Sequence, residues 1–255
     1  MSDEPLPDGF LTPDAPEEFF EADRQAVYAA IALRRDIQHF RTDRDIDEAV
    51  LERILRAGHL APSVGLSQPW HFIVVRDVKT RERVRESFLR CREAESARFS
   101  EERRAAYLAH KLEGILESPV NLCVGCDLRD RDEVILGTTV QPEAIRASAC
   151  CAVQNIWLAA RVEGIGVGWV SIVEPAVLKR EFGLPAGIEP VAYLCMGYPV
   201  AFRSRPMLEE TAWAKPRTVV EVTHRERFTD RRAAPLSDLD DARTQGEPGE
   251  HRSRS

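Results

Sequence analysis

The most constraining feature of the sequence is a long apolar segment that ends at a set of alternating glycines. From about residue 142 to residue 162, most positions carry alanine, valine, isoleucine, leucine or tryptophan. A helix that is apolar on most of its sides must be covered by protein, either within the fold or by another subunit. Gly164, Gly166 and Gly168 then break the helix and lead into the strand-like GVGWVSIV. We therefore expect a buried helix followed directly by a core strand.

Helix and strand patterns alternate through the rest of the chain. Helices are predicted for EADRQAVYAAIALRRD, DRDIDEAVLERILRAGHLA, PAVLKREF and the charged region from about Lys79 to Glu117. Asp45 and Glu48 resemble a capping box at the start of the second of these helices. Strands are predicted for WHFIVVRD, PVNLCVGCDL and PVAYLCMGYP. Alternation of this kind favours a three-layer α/β or α+β sandwich.

Composition limits the function classes. The chain has 255 residues and a net charge of −7, which argues against broad nucleic-acid binding. No apolar run approaches a membrane span, and the acidic start lacks the features of a signal peptide, so a cytoplasmic location is expected. Residues 1–20 are predicted to be a flexible arm, residues 21–228 the folded domain, and residues 229–255 a disordered tail.

Neither the cysteines nor the histidines form a metal-binding pattern. Cys123 and Cys126 make a CxxC within an apolar strand, and no second pair completes a zinc site. We expect the cysteines to be buried reduced thiols in a core strand and a core helix, with no bound metal.

The stretch RRDIQHF, residues 34–40, combines a possible anion clamp with a carboxylate. Arg34 and Arg35 suit bidentate contact with a phosphate, and Gln38 lies a short step beyond Asp36. The alternative is a solvated helix end in which Asp36 is a local charge partner.

Three further stretches carry polar groups or glycines that ordinary packing does not require. The loop APSVGLSQPW offers hydrogen bonds, and Gly65 lets a ligand approach its backbone, although it could be a plain connection. In EGIGVGWVSI the glycines permit a close approach by a flat ligand or a neighbouring helix, and the Ser171 hydroxyl could instead serve a structural hydrogen bond. Arg203 and Arg205 follow the last strand, where they could complete a phosphate site or remain surface charges.

Taken together, these four stretches resemble the FMN-dependent nitroreductase superfamily over roughly residues 20–225. The resemblance implies an α/β/α sandwich with a mixed central sheet, and a domain-swapped homodimer that binds FMN at the subunit interface. It implies that FMN is held by a set of residues from all four stretches: Arg34, Arg35, Gln38, Pro62, Ser63, Gly65, Gly168, Val170, Arg203 and Arg205.

The departures from the superfamily pattern are informative. Asp36 stands where reductases tend to have serine, Gln38 replaces a usual arginine, and Gly65 and Leu66 replace an asparagine region. With CAVQNIWLAARVEGIGVGWVSI, they are similar to the branch that fragments reduced FMN with O₂. That branch makes 5,6-dimethylbenzimidazole, the lower ligand of vitamin B12, and releases erythrose 4-phosphate. The resemblance implies Asp36 and Ser171 as catalytic residues, and a lid at about residues 99–115 that could otherwise be a surface helix.

The resemblance also implies a separate flavin reductase as the source of reduced FMN, since no second nicotinamide-binding domain is found. Two other functions stay open at this point. One is an NAD(P)H-dependent nitroreductase or quinone reductase that keeps its FMN, and the other is a non-catalytic flavin-binding protein.

Overall fold

The structure, a computed structural model, describes residues 18–129 and 134–228. Its helices are α1 (Glu21–Leu33), α2 (Glu48–His59), α3 (Val78–Ser96), α4 (Glu101–Ala109), α5 (Ala144–Val162), α6 (Pro175–Glu181), α7 (Met207–Glu210) and α8 (Val219–Val222). Its strands are β1 (Trp70–Val75), β2 (Val120–Asp127), β3 (Gly166–Trp169) and β4 (Ile188–Gly197). The predicted arm lies almost entirely outside the described residues, and the predicted tail lies entirely outside them.

The four strands form one sheet in the order β1-β2-β4-β3, and each neighbouring pair is antiparallel. Parallel pairing occurs where an isolated bridge joins Asp36 to Val167 at the β3 edge. Strand β2 is central, and it is buried from Val120 to Cys126 because helices cover both faces of the sheet.

Successive side chains of a strand point to opposite faces, so the sheet contributes to two separate cores. On one face, Leu122 and Leu194 pack with Ile54 of α2 and Ile156 of α5. The opposite face contributes Cys123, Tyr193 and Cys195 to a core completed from α3 and α6 by Val84, Phe88 and Leu178. The predicted three-layer α+β architecture is therefore confirmed.

The helix starting near residue 45 begins differently from the prediction. Asp47 is the N-cap, and its carboxylate accepts a hydrogen bond from the Ala49 N–H at 2.9 Å. Asp45 is instead held by Arg76 of the segment after β1, at 2.8 Å. The predicted capping box is wrong because an ion pair from a distant part of the chain uses the Asp45 carboxylate.

The charged region predicted as helical from about Lys79 to Glu117 is two helices and an irregular segment. Helix α3 ends at Ser96, whose hydroxyl donates to the Glu93 carbonyl at 2.8 Å, and α4 ends at Ala109. Residues 110–118 then run back to the sheet. The charge pattern alone did not reveal this return, which is fixed by contacts with distant residues.

Helix α5 is buried on one side only in the single chain. Ala149, Val153 and Ile156 are buried, whereas Cys150 and Cys151 are exposed. The prediction of buried thiols therefore holds for the CxxC in β2 and fails for α5.

The contacts divide the chain after Pro206, and the described part of the second unit contains α7 and α8. In α8, Thr218 and Glu221 form a reciprocal capping box. Among the described residues, no helix combines the length and apolarity that crossing a membrane requires, and the cytoplasmic location stays a prediction.

Candidate functional site

The segment after α1 lies along the edge of β3 and positions Asp36. The Ile37 N–H donates to the Val167 carbonyl at 3.0 Å, and the Trp169 N–H donates to Asp36 Oδ1 at 2.9 Å. A Cβ atom at Gly168 would lie 2.0 Å from the Ile37 carbonyl oxygen, so only glycine permits this approach. The group that lies close to Gly168 is therefore an extended segment of the same chain, whereas the sequence suggested a ligand or a neighbouring helix. A contact between Gly168 and FMN stays a prediction.

The second oxygen of the Asp36 carboxylate is also held, because the Gln38 side-chain amide donates to Oδ2. Burial among protein atoms raises the pKa of Asp36 to about 6, against the opposing effects of the Trp169 N–H, the Gln38 amide and the Arg34 charge. Asp36 is nevertheless exposed to solvent in the single chain, so water screens part of these interactions. A carboxyl group that titrates near neutrality is suited to moving protons in either direction.

A hydrogen bond from Arg35 links two of the predicted stretches near the end of α1. Arg35 donates through Nη1 to the Ala32 and Arg34 carbonyls, each at 2.7 Å, and through Nη2 to the Ser204 carbonyl at 2.6 Å. The last bond ties Arg35 to the loop that carries Arg203 and Arg205. The Arg35 Nε atom is buried and has no hydrogen-bond partner among the described residues.

Trp157 of α5 supports the same arrangement. The Arg34 guanidinium lies 4.7 Å from the centre of the Trp157 ring, and the Trp157 indole N–H donates to the Arg35 carbonyl at 3.2 Å. Trp157 and Trp169 also contact each other, with ring centres 6.3 Å apart. Sequence analysis assigned Trp157 no role in the site, although an indole within an apolar helix of a chain that also carries an arginine pair is a usable signal.

The loop containing Pro62, Ser63 and Gly65 lies elsewhere in the single chain. It includes a short 3₁₀ turn, Val64–Leu66, where the sequence predicted no regular element. The Val64 N–H donates to Ser148 Oγ near the start of α5. Ser148 precedes Trp157 by nine residues of the same helix, which corresponds to about 14 Å along the axis. The structure therefore joins three of the four predicted stretches and leaves this loop at the other end of α5.

Ser171 follows β3 and is exposed, although the sequence suggested a buried hydroxyl within the strand. Its hydroxyl has no hydrogen-bond partner among the described residues, so the alternative of a structural bond is not supported. Ser171 lines a mostly apolar cleft of about 190 Å³ together with Val170, Leu178 and Tyr193. The hydroxyl is therefore available to a ligand beside the strand that holds Asp36.

The predicted lid contains α4 and the start of the returning segment. The Tyr107 hydroxyl donates to Glu95 at 2.6 Å, and Arg92 donates to the Leu108 and His110 carbonyls, each at 2.7 Å. These bonds attach α4 to α3. Farther on, a Cβ at Gly114 would lie 2.4 Å from the Phe40 ring, so the return passes directly over the Asp36 segment. Closure over a flavin stays a prediction.

Comparison with known proteins identifies the class. The Nitroreductase family matches residues 31–198, and the chain belongs to this family. Among solved structures, iodotyrosine deiodinase bound to FMN and 3-iodo-L-tyrosine superposes with a TM-score of 0.63 at 19% identity, covering 80% of this chain and 100% of that one. This likeness concerns the fold alone.

The curated relatives are more specific. A 5,6-dimethylbenzimidazole synthase from Rhodospirillum rubrum is 42% identical over 76% of this chain and 92% of its own length. Another from Rhodobacter capsulatus is 35% identical over 76% of this chain and 94% of its own length. A candidate NADH dehydrogenase/NAD(P)H nitroreductase from Methanothermobacter thermautotrophicus is 31% identical over 68% of this chain and 77% of its own length.

Proposed function

We propose that the protein is an oxidoreductase that uses O₂ to fragment reduced FMN into 5,6-dimethylbenzimidazole, with release of erythrose 4-phosphate. The observation that carries the proposal is the near full-length similarity to synthases of that name, at 42% and 35% identity. The Asp36 carboxylate, fixed by two donors beside an arginine cluster, gives the chain a group suited to the proton transfers of such a reaction.

The basic cluster fits the phosphate end of FMN. Arg35 is joined by one hydrogen bond to the loop carrying Arg203 and Arg205, and its buried Nε is a donor without a partner among the described residues. Bound reduced FMN would supply the electrons and the carbon skeleton of the product. In this arrangement the arginines hold the phosphate, and Gly168 and Val170 form the wall beside the ring.

Asp36 and Ser171 have different tasks in the proposed reaction. Asp36 accepts and returns protons at the ribityl chain, because its pKa of about 6 lets both protonation states be populated near neutral pH. Ser171 presents a free hydroxyl at the cleft and orients the ring and bound oxygen. The lid excludes water during the several bond-breaking steps.

A homodimer would complete the site. Helix α1 has no buried residue, and Val27, Tyr28 and Ile31 are exposed on it in the single chain. A second subunit could cover this apolar surface and bring its own Pro62, Ser63 and Gly65 to the cluster around Asp36. A separate flavin reductase would deliver reduced FMN.

The direct test is to incubate the purified protein with excess chemically reduced FMN under air and to measure products by mass spectrometry. We expect 5,6-dimethylbenzimidazole and an equal amount of erythrose 4-phosphate. Simple reoxidation of FMN, with neither product, would reject the proposal.

The second candidate is an NAD(P)H-dependent nitroreductase or quinone reductase, favoured by the relative from Methanothermobacter thermautotrophicus. Rapid NAD(P)H oxidation with a nitroaromatic acceptor and intact FMN would support it. A reductase gains nothing from a carboxylate base at the ribityl chain, so Asp36→Asn should leave such an activity largely unchanged.

A further inference from the structure

The side chain of Gln38 is committed to Asp36 within the single chain. Gln38 is 7% exposed, and its amide nitrogen donates to Asp36 Oδ2. The Gln38 backbone carbonyl oxygen lies 3.1 Å from where a Cβ would stand on Gly114, so the returning segment passes close to this residue. A buried amide whose nitrogen already donates to a carboxylate has little freedom to reach a ligand.

A glutamine is suited to a partner that changes its protonation state. Its amide presents both a donor and an acceptor, and a rotation of the amide group exchanges them. The NH₂ group donates to an ionised Asp36, and the carbonyl oxygen can accept from a protonated Asp36. The arginine that is usual at this position in the superfamily pattern would offer donors only.

Few other groups in the described part of the chain can influence this carboxyl. Arg34 comes from the same segment, and the Cys195 thiol faces it from β4, where burial raises the pKa of that thiol to about 12. From the returning segment, Lys111 and Glu117 pair with each other near the Phe40 N–H.

We propose that Gln38 is a positioning residue that holds the Asp36 carboxyl against β3 in both of its protonation states, and that it does not bind FMN. The inference rests on the proposed function for the role of Asp36, but the hydrogen bond itself can be tested without turnover. It replaces the assignment of Gln38 to the flavin that the sequence suggested.

The test compares Gln38→Met and Gln38→Asn with Gln25→Met in the full-length protein. Methionine keeps the length of the side chain, and asparagine keeps the amide but is one methylene too short. Gln25 is the matched control, since its amide also donates to a carboxylate, Glu21 at 2.7 Å, on the exposed surface of α1. We expect both Gln38 variants to form product at least ten times more slowly than Gln25→Met. Their dissociation constants for FMN should stay within threefold, and the acidic limb of the pH–rate profile should move up by about one pH unit.

The opposite pattern would overturn the inference. If FMN binding weakens tenfold or more and the acidic limb of the pH–rate profile does not move, Gln38 is a flavin ligand. If the rate, the FMN affinity and the pH–rate profile are all unchanged, Gln38 has no role in the site.

A double-mutant cycle tests the contact even if no product is formed. Gln38→Met should shift the urea midpoint at pH 7.5 more in the wild type than in Asp36→Ala. Equal shifts in the two backgrounds would contradict the contact, and absence of product from the wild type would separately reject the proposed function.

Discussion

The two ends of helix α5 hold two different kinds of predicted site. Around Trp157, near its C-terminal end, the structure gathers Arg34, Arg35 and Asp36 against β3. Around Ser148, near its N-terminal end, the loop with Ser63 and Gly65 packs against the chain near residues 135–136. Both ends contain residues that the superfamily resemblance assigns to one flavin. In the single chain, the charges of Arg34 and Asp36 meet at the Trp157 end.

This contrast indicates how the work of the site is divided. The Trp157 end contains the titratable carboxylate and the basic cluster, so it is suited to proton transfer and phosphate binding. The Ser148 end is held by backbone hydrogen bonds and by residues with positive φ, including Gly65 at 54° and Leu66 at 52°. Such a loop offers a shaped surface, which suits contact with a flat ring.

The largest effect is expected from Asp36→Asn at the Trp157 end. An amide cannot act as a base, so formation of 5,6-dimethylbenzimidazole should fall at least ~100-fold while FMN still binds. Product formation by mass spectrometry and FMN titration by fluorescence check the two halves of this expectation. If FMN binding is lost as well, Asp36 has a structural role and the contrast between the two ends weakens.

Mixed dimers test whether the two ends meet across subunits. Asp36→Asn and Ser63→Trp chains, each inactive alone, should regain about a quarter of wild-type activity after they are unfolded and refolded together. In random mixing, half of the dimers are mixed and each of those has one intact site. Each variant refolded alone serves as the control. No recovery would mean that both ends serve the same chain's site, and activity of Ser63→Trp refolded alone would mean that the loop has no part in it.

Ser171→Gly should reduce product formation by about tenfold, the size expected when a single hydrogen bond to the reacting groups is lost. Because the Ser171 hydroxyl has no partner among the described residues, circular dichroism and the melting temperature should be unchanged. Wild-type turnover would remove Ser171 from the mechanism.

At the other end, Ser148→Ala removes the hydroxyl that accepts from the Val64 N–H. The loop should become less well ordered, and we expect two- to fivefold weaker FMN binding with an unchanged pH–rate profile, since losing one such bond costs about 1 kcal/mol. Isothermal titration measures the affinity. A shift in the acidic limb of the pH–rate profile would show that the two ends of α5 are coupled.

The smallest effect concerns the pH dependence of stability. The pKa of Asp36 is raised from its usual 3.8 to about 6 in the folded protein, so ionising this carboxyl opposes folding. That penalty is absent below about pH 4, grows between about pH 4 and pH 6, and is constant above that range. The melting temperature of Asp36→Asn relative to the wild type should therefore be higher at pH 7.5 than at pH 4. A difference in melting temperature that does not change with pH would contradict the raised pKa of Asp36.

Local patterns in the sequence were sufficient for the family and for some of the elements. The apolar helix and the buried strand before it predicted α5 and β2 closely, because side-chain periodicity is a local property. The strand predicted after the glycines is shorter in the structure, where β3 ends at Trp169. The stretch RRDIQHF carried both the basic pair and the distinguishing carboxylate, so the main candidates for chemistry were visible without coordinates.

What only the tertiary structure decided is which of these groups meet. The sequence suggested a ligand or a helix against Gly168, and the structure places the Ile37 carbonyl there, while contacts of Gln38 and Gly168 with FMN stay predictions. The pKa of Asp36 likewise depends on burial and on one donor, the Trp169 N–H, from a distant strand. Sequence determines which chemical groups are present, but contacts between residues more than a hundred positions apart depend on how the layers pack. Hydrogen bonding and electrostatics act through those contacts.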